Sequence, residues 1–82
     1  MGWYNFLWLF RQLRYFEAVA ETLNFSRAAE SMHITQAALS EQISRLETFV
    51  GTRLFERTTR KVTLTRAGVA FGEATVCAGV NR

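Results

Sequence analysis

The side chains best suited to chemistry in this chain lie between Thr35 and Arg45. Gln36, Ala37, Ser40, Glu41, Ser44 and Arg45 fall on the side of a helix opposite Leu39, Ile43 and Leu46. That surface is polar, short-chained and nearly uncharged at its centre, so the helix can approach another surface closely. A glutamine at the amino end suits a base edge, because its amide can donate to and accept from adenine together. Thr35, and Ser26 earlier in the chain, stand where helices should begin, and hydroxyls at helix amino ends suit phosphate oxygens. A second group follows, with Arg57, Arg60 and Lys61 set among β-branched and aromatic residues. From Arg53 to Arg66 there are five basic residues against one acid, Glu56, whereas the rest of the chain holds five basic and six acidic residues. Positive charge confined to one short stretch points to an anionic partner at that place. Each feature alone has a plainer reading as a solvated face; together, in this order, they favour double-stranded DNA as the partner.

Enzymatic chemistry lacks its parts. His33 is the only histidine, Cys77 is the only cysteine and lies far from it in sequence, and no aspartate is present to orient the imidazole. Such a set makes neither a zinc site nor a nucleophile–base pair. His33 reads as a turn residue or backbone contact, and Cys77 as a small residue on a helix face. No enzymatic activity, metal or cofactor is expected. A lone cysteine also excludes the disulfide framework of a secreted mini-protein. The amino-terminal "MGWYNFLWLF" is apolar, yet far shorter than the ~20 residues that span a bilayer. It lacks the basic start and small-residue cleavage site of a signal peptide, and Phe6 stands where myristoylation wants Ser or Thr. These residues are read as lengthening the first helix or covering the core. No membrane partner is expected, and the expected location is the cytoplasm, at the bacterial nucleoid.

Elements must position these residues. A chain of 82 residues makes one small domain, which buries only about 60–65% of its unfolded surface. At 49% hydrophobic it is too apolar to be disordered, and the absence of proline suits a helix-rich chain. Leu9, Leu13, Phe16, Ala20 and Leu23 form an amphipathic stripe, predicting a first helix that ends near residues 22–24. Ser26 is the expected N-cap of a short second helix, "RAAESM", whose Ala28 and Ala29 permit close packing. His33 and Ile34 connect it to a third helix capped by Thr35, with Leu39, Ile43, Leu46 and Val50 inward and Gly51 in the left-handed position after it. The period then changes. Leu54–Phe55 and Val62–Leu64 are predicted as strands joined by a hairpin over residues 56–61, which has no glycine or asparagine to specify its turn. Thr65 can cap a last helix whose apolar face is Ala67, Phe71, Ala74 and Ala78. Two helices with a short connection, the second presenting a polar face, describe a helix-turn-helix.

At this level of detail the chain resembles a family. "FSRAAESMHITQAALSEQISRLE" followed by "LFERTTRKVTLTRAG" is similar to the amino-terminal winged helix-turn-helix of LysR-type bacterial transcriptional regulators. The likeness runs from Leu13 to about Gly68. It implies a mainly α fold of three helices, a short β-hairpin wing and a linker helix. It also implies sequence-specific DNA binding for transcriptional regulation, as a dimer on an interrupted inverted repeat. The helix after Thr35 would enter the major groove, and the wing from Arg57 to Lys61 would flank it. In the family the position of Gln36 commonly touches bases, and those of Thr35 and Ser40 the backbone. Proline is usual where this chain has Ala37, which keeps a smaller apolar contact. Arginine is common at the position of Glu41; glutamate cannot read guanine in its place, although it can accept from a cytosine amino group.

The expected organisation is an aromatic extension over 1–8, the DNA-binding domain over 9–65 and a shortened linker helix over 66–82. Family members continue into an inducer-binding domain, so no small-molecule inducer is expected to act on this stretch. Ala67, Phe71, Ala74 and Ala78 are the expected dimerisation face, a shallow one, so the homodimer should be weak. Two other readings stand beside this one. A helical protein-interaction module would explain the apolar termini but not the charge gathered in the wing. A truncated regulator fragment without function of its own is the second.

Overall fold

The computed structural model describes residues 2–77, and side chains over 6–75. Four helices and one hairpin follow in the order α1 (Gly2–Thr22), α2 (Phe25–Met32), α3 (Gln36–Val50), β1 (Phe55–Arg57), β2 (Val62–Leu64) and α4 (Arg66–Cys77). This is the expected mainly α, winged helix-turn-helix architecture. The backbone of the amino-terminal extension, from Gly2 on, is continuous with α1.

Local chemistry sets most of the boundaries. Leu23 adopts a left-handed φ of 52° and ends α1. The N-cap of α2 is Asn24, whose Oδ1 accepts from the Arg27 N–H at 3.0 Å; Ser26, expected in that role, lies inside the first turn instead. The correction has a physical cause. Phe25 is drawn into the core edge-on to Phe55, 6.0 Å between ring centroids, so the helix begins two residues earlier than a cap at Ser26 would allow. His33 closes α2 in a Schellman motif at φ 60°, its own N–H donating to the Glu30 carbonyl and that of Ile34 to the Ala29 carbonyl. Thr35 caps α3 as expected, accepting from the Ala38 N–H at 3.0 Å. Gly51 ends it at φ 86°, a region glycine enters without strain.

One core serves all the elements. Phe16, Val19, Phe25, Ala28, Ala29, Leu39, Ile43, Leu46, Leu54 and Phe55 are buried together. The Phe16 ring lies between Phe55 at 5.3 Å and Phe71 at 5.0 Å, joining α1, the wing and α4. One inward assignment needs correcting. The buried row of α1 is Gln12, Phe16 and Val19, with Leu13 and Ala20 only half-buried and Leu23 exposed. On α3, Val50 is half-buried and packs against the core as expected, and Glu47 is buried beside it near the end of the helix.

Both unexpected polar residues have partners. The Gln12 amide lies 2.7 Å from that of Gln42. Turned so that its oxygen takes the Trp8 indole N–H at 3.2 Å, it donates to the Gln42 carbonyl at 3.0 Å and ties α1 to α3. Glu47 Oε2 accepts the N–H groups of Leu54 at 2.8 Å and Phe55 at 3.1 Å, and so satisfies the backbone entering the wing. The wing pairs Phe55 with Leu64, Glu56 with Thr63 and Arg57 with Val62, antiparallel. Strand β1 begins at Phe55 rather than at the expected Leu54, which is buried just before it. Thr58 supplies the turn chemistry that glycine or asparagine would otherwise provide. Its N–H donates to the Lys61 carbonyl at 2.9 Å, and its hydroxyl accepts from the N–H groups of Arg60 and Lys61. Thr65 caps α4, accepting from the Gly68 N–H at 2.9 Å while donating to the Arg53 carbonyl at 2.7 Å. Among the described residues no helix is long and apolar enough to cross a membrane.

Candidate nucleic-acid interface

With Leu39, Ile43 and Leu46 anchored in the core, α3 must turn its other side outward. Thr35, Gln36, Ala37, Glu41, Ser44 and Arg45 are exposed, and Ser40 is half-buried beside the wing. Glu41 and Arg45 pair at 3.0 Å across one helical turn, so the middle of this face carries no net charge. Both groups are well exposed, at 62% and 59%, and the pair can reorganise at little cost when a partner arrives.

Ser26, displaced from capping, has a different contact. Its hydroxyl donates to Gln36 Oε1 at 2.8 Å, joining the first turns of α2 and α3. Gln36 is therefore exposed yet oriented. The same groove is lined by Phe25, Arg57, Thr58, Arg60 and Lys61, so the hairpin sits against the amino ends of both helices. Arg60 and Lys61 are exposed at the hairpin tip. Arg57 behaves differently from these two. Its guanidinium lies over the Phe25 ring, 4.3 Å from the centroid, and donates to Ser40 Oγ at 2.7 Å.

A second groove runs on the other side of Arg57, along Ser44, Thr48, Thr52 and Arg53. Arg53 was counted in the basic stretch but not assigned to the site; its side chain is 66% exposed and lies 3.7 Å from Glu47. Its place could not be read from sequence, because it depends on where the chain goes after Gly51. The structure thus brings Ser26, Gln36, Arg57, Arg60 and Lys61 to one groove, with Thr35, Ala37, Ser40, Glu41, Ser44 and Arg45 continuing along α3. The face assigned to self-association is divided. Ala67 and Phe71 pack against the chain's own core, Ala74 is exposed, and Ala78 lies outside the described residues. The Cys77 and Trp3 side chains also lie outside them. Among the described residues no three His, Cys or Glu side chains gather as a metal would require.

Comparison with known proteins gives a consistent result. The family model described as bacterial regulatory helix-turn-helix protein, lysR family, matches residues 10–69. The HTH-type transcriptional regulator BudR of Klebsiella aerogenes is 59% identical over 63 residues, which cover 77% of this chain and 44% of that protein. The chain thus spans less than half the length of the curated relatives it matches. Among solved structures, the CbnR_DBD–DNA complex superposes with a TM-score of 0.76 at 46% identity, covering 79% of this chain and 75% of that one. The BenM_DBD complex with benA site 1 DNA gives 0.79 at 40% identity, covering 84% and 78%.

Proposed function

The chain belongs to the lysR family of bacterial regulatory helix-turn-helix proteins, and from that premise we propose that it binds double-stranded DNA sequence-specifically to regulate transcription. Helix α3 enters the major groove, which is wide enough for an α-helix. The wing follows the backbone or the adjacent minor groove. One observation carries this reading: the amino end of a polar, locally neutral helix face, at Gln36, and a separate cationic hairpin meet in one groove, at the amino ends of two helices. Base edges are read at close range by uncharged donors and acceptors, whereas phosphates need cations and N–H groups, and the site separates the two in that way. The solved neighbours named as DNA complexes support the same partner. A role as an enzyme is not part of this reading, and the place of action is the cytoplasm, at the nucleoid. The protein works as a weak homodimer.

Selection from a random duplex pool, followed by a salt titration on the enriched duplex, tests the proposal. A preferred sequence should emerge, and log K should fall steeply and linearly with log salt. Arg60→Ala should weaken binding to most sequences and reduce that slope by about one. No enrichment together with a flat salt response would overturn the reading. It would favour a protein-interaction module, for which Phe6 and Phe49, 65% and 60% exposed, would be the first candidates.

A further inference from the structure

We propose that Arg57 is a positioning residue that fixes the wing against the recognition helix, and is not one of the wing's phosphate contacts. The inference rests on the DNA-binding reading above. Arg57 is the last residue of β1 and forms with Val62 the final pair before the turn, so its position sets the direction of the hairpin tip. A guanidinium at that position in a basic hairpin would be expected to face a phosphate. It is turned back onto the protein instead. One face covers the Phe25 ring at 4.3 Å, and one N–H reaches Ser40 Oγ at 2.7 Å. Phe25 opens α2 and Ser40 lies in α3, so a single side chain joins the wing to both helices of the helix-turn-helix.

The contact uses properties that lysine does not share. A planar cation stacks on a ring while its edge donates in a fixed direction; an ammonium is a hydrated point charge without that fork. Both partners are themselves held. Phe25 is buried against Phe55, and Ser40 follows Leu39, which is fully buried. The hairpin is short, with three residues in each strand, and its tip is closed by hydrogen bonds of Thr58 to Arg60 and Lys61, all within the turn itself. The base is held by Glu47, but without a tie next to the turn such a hairpin tip would sample many directions, and Arg60 and Lys61 would have to be ordered at the moment of binding. Arg57 removes that cost beforehand and holds the wing's two free cations at a set distance from Gln36, with which they share a groove.

The test compares Arg57→Lys, which keeps the charge, with Arg57→Met, which keeps an unbranched apolar stem without the charge. In the free protein both should raise amide exchange at Thr58 and Lys61 about tenfold, while Leu39 and Ile43 in α3 stay protected. On the selected duplex both should bind roughly tenfold more weakly with an unchanged salt slope, since no phosphate contact is lost. If Arg57→Lys bound like the unaltered chain and Arg57→Met lowered the slope by about one, Arg57 would be a phosphate ligand and the proposal would be overturned. Unchanged wing exchange in both variants would overturn it as well. Failure of the unaltered chain to bind any duplex would count against the functional reading alone, because the exchange comparison needs no DNA.

Discussion

Gln36 is oriented before any partner arrives. The Ser26 hydroxyl holds its Oε1 at 2.8 Å, so one conformation of an exposed, flexible side chain is already favoured, and less freedom is lost on binding. If Gln36 reads a base, Gln36→Ala should cost ~1–3 kcal/mol on the preferred duplex and relax selection at one base pair. Ser26→Ala should relax selection at the same base pair to a smaller degree. It leaves the cap of α2 intact, because Asn24 and not Ser26 provides it. Affinities for the preferred duplex and its single-base variants decide the matter; equal weakening on preferred and random DNA would remove Gln36 from base reading. That Gln36 is a candidate for base contact was legible in its type and its place after Thr35. Its dependence on Ser26 was not, because that hydrogen bond spans two elements and no local pattern signals it.

At the scale of elements, the wing is held from both sides. Glu47 receives the backbone where it enters β1, and α4 closes on it from behind. The close approach of α4 depends on Gly68, where an added Cβ would meet the Leu54 carbonyl oxygen well inside contact distance and press on Leu64. Gly68→Ala should therefore destabilise the domain by about 1–3 kcal/mol, despite alanine's better helix propensity. At Gly72 the same Cβ would meet the Phe16 ring at 3.6 Å, an ordinary contact. Gly72→Ala should stabilise by up to ~1 kcal/mol. Urea denaturation of the two variants reads the contrast, and a Gly68→Ala protein as stable as the unaltered chain would show that α4 does not pack on Leu54 in this way. Sequence reading weighs both glycines only as helix penalties, since a close backbone contact becomes visible only when the two elements are placed together.

At the scale of the whole molecule, the described part of α4 leaves few large apolar side chains for self-association. Phe71 is committed to Phe16 and Ala67 to the same core, so Val69, Ala70 and Ala74 are the exposed apolar residues along the described part of α4. Alanine buries little area, and a face of this kind contributes little on its own. On α1, Trp8 packs edge-on to Phe49 at 5.4 Å, while Phe6, Leu7 and Phe10 are exposed. We expect a monomer–dimer equilibrium that shifts on dilution through the micromolar range, and pairing favoured on a duplex with two half-sites, where the second domain binds at raised effective concentration. Sedimentation at several concentrations measures it. A dimer that survives dilution would mean that the linker helix or the amino-terminal aromatics contribute more than this surface suggests.

The sequence by itself determined the helix periods, the caps at Thr35, Gly51 and Thr65, the inward row Leu39, Ile43 and Leu46, and the order of helices around a basic hairpin. These follow from interactions within a turn or two of chain, and the family resemblance added the expected placement of helix and wing on DNA. Tertiary structure decided the rest. It made Asn24 rather than Ser26 the cap, because Phe25 is needed against Phe55. Gln12 and Glu47, polar residues that would ordinarily face water, are buried because α3 and the wing entrance supply hydrogen-bond partners distant in sequence. Arg57, an exposed residue, lies back against the protein because an aromatic face and a hydroxyl from two other elements meet beside it. A short-range pattern records where a side chain points along its own helix or strand; whether a polar group is satisfied there depends on groups that only folding brings within 3 Å or so.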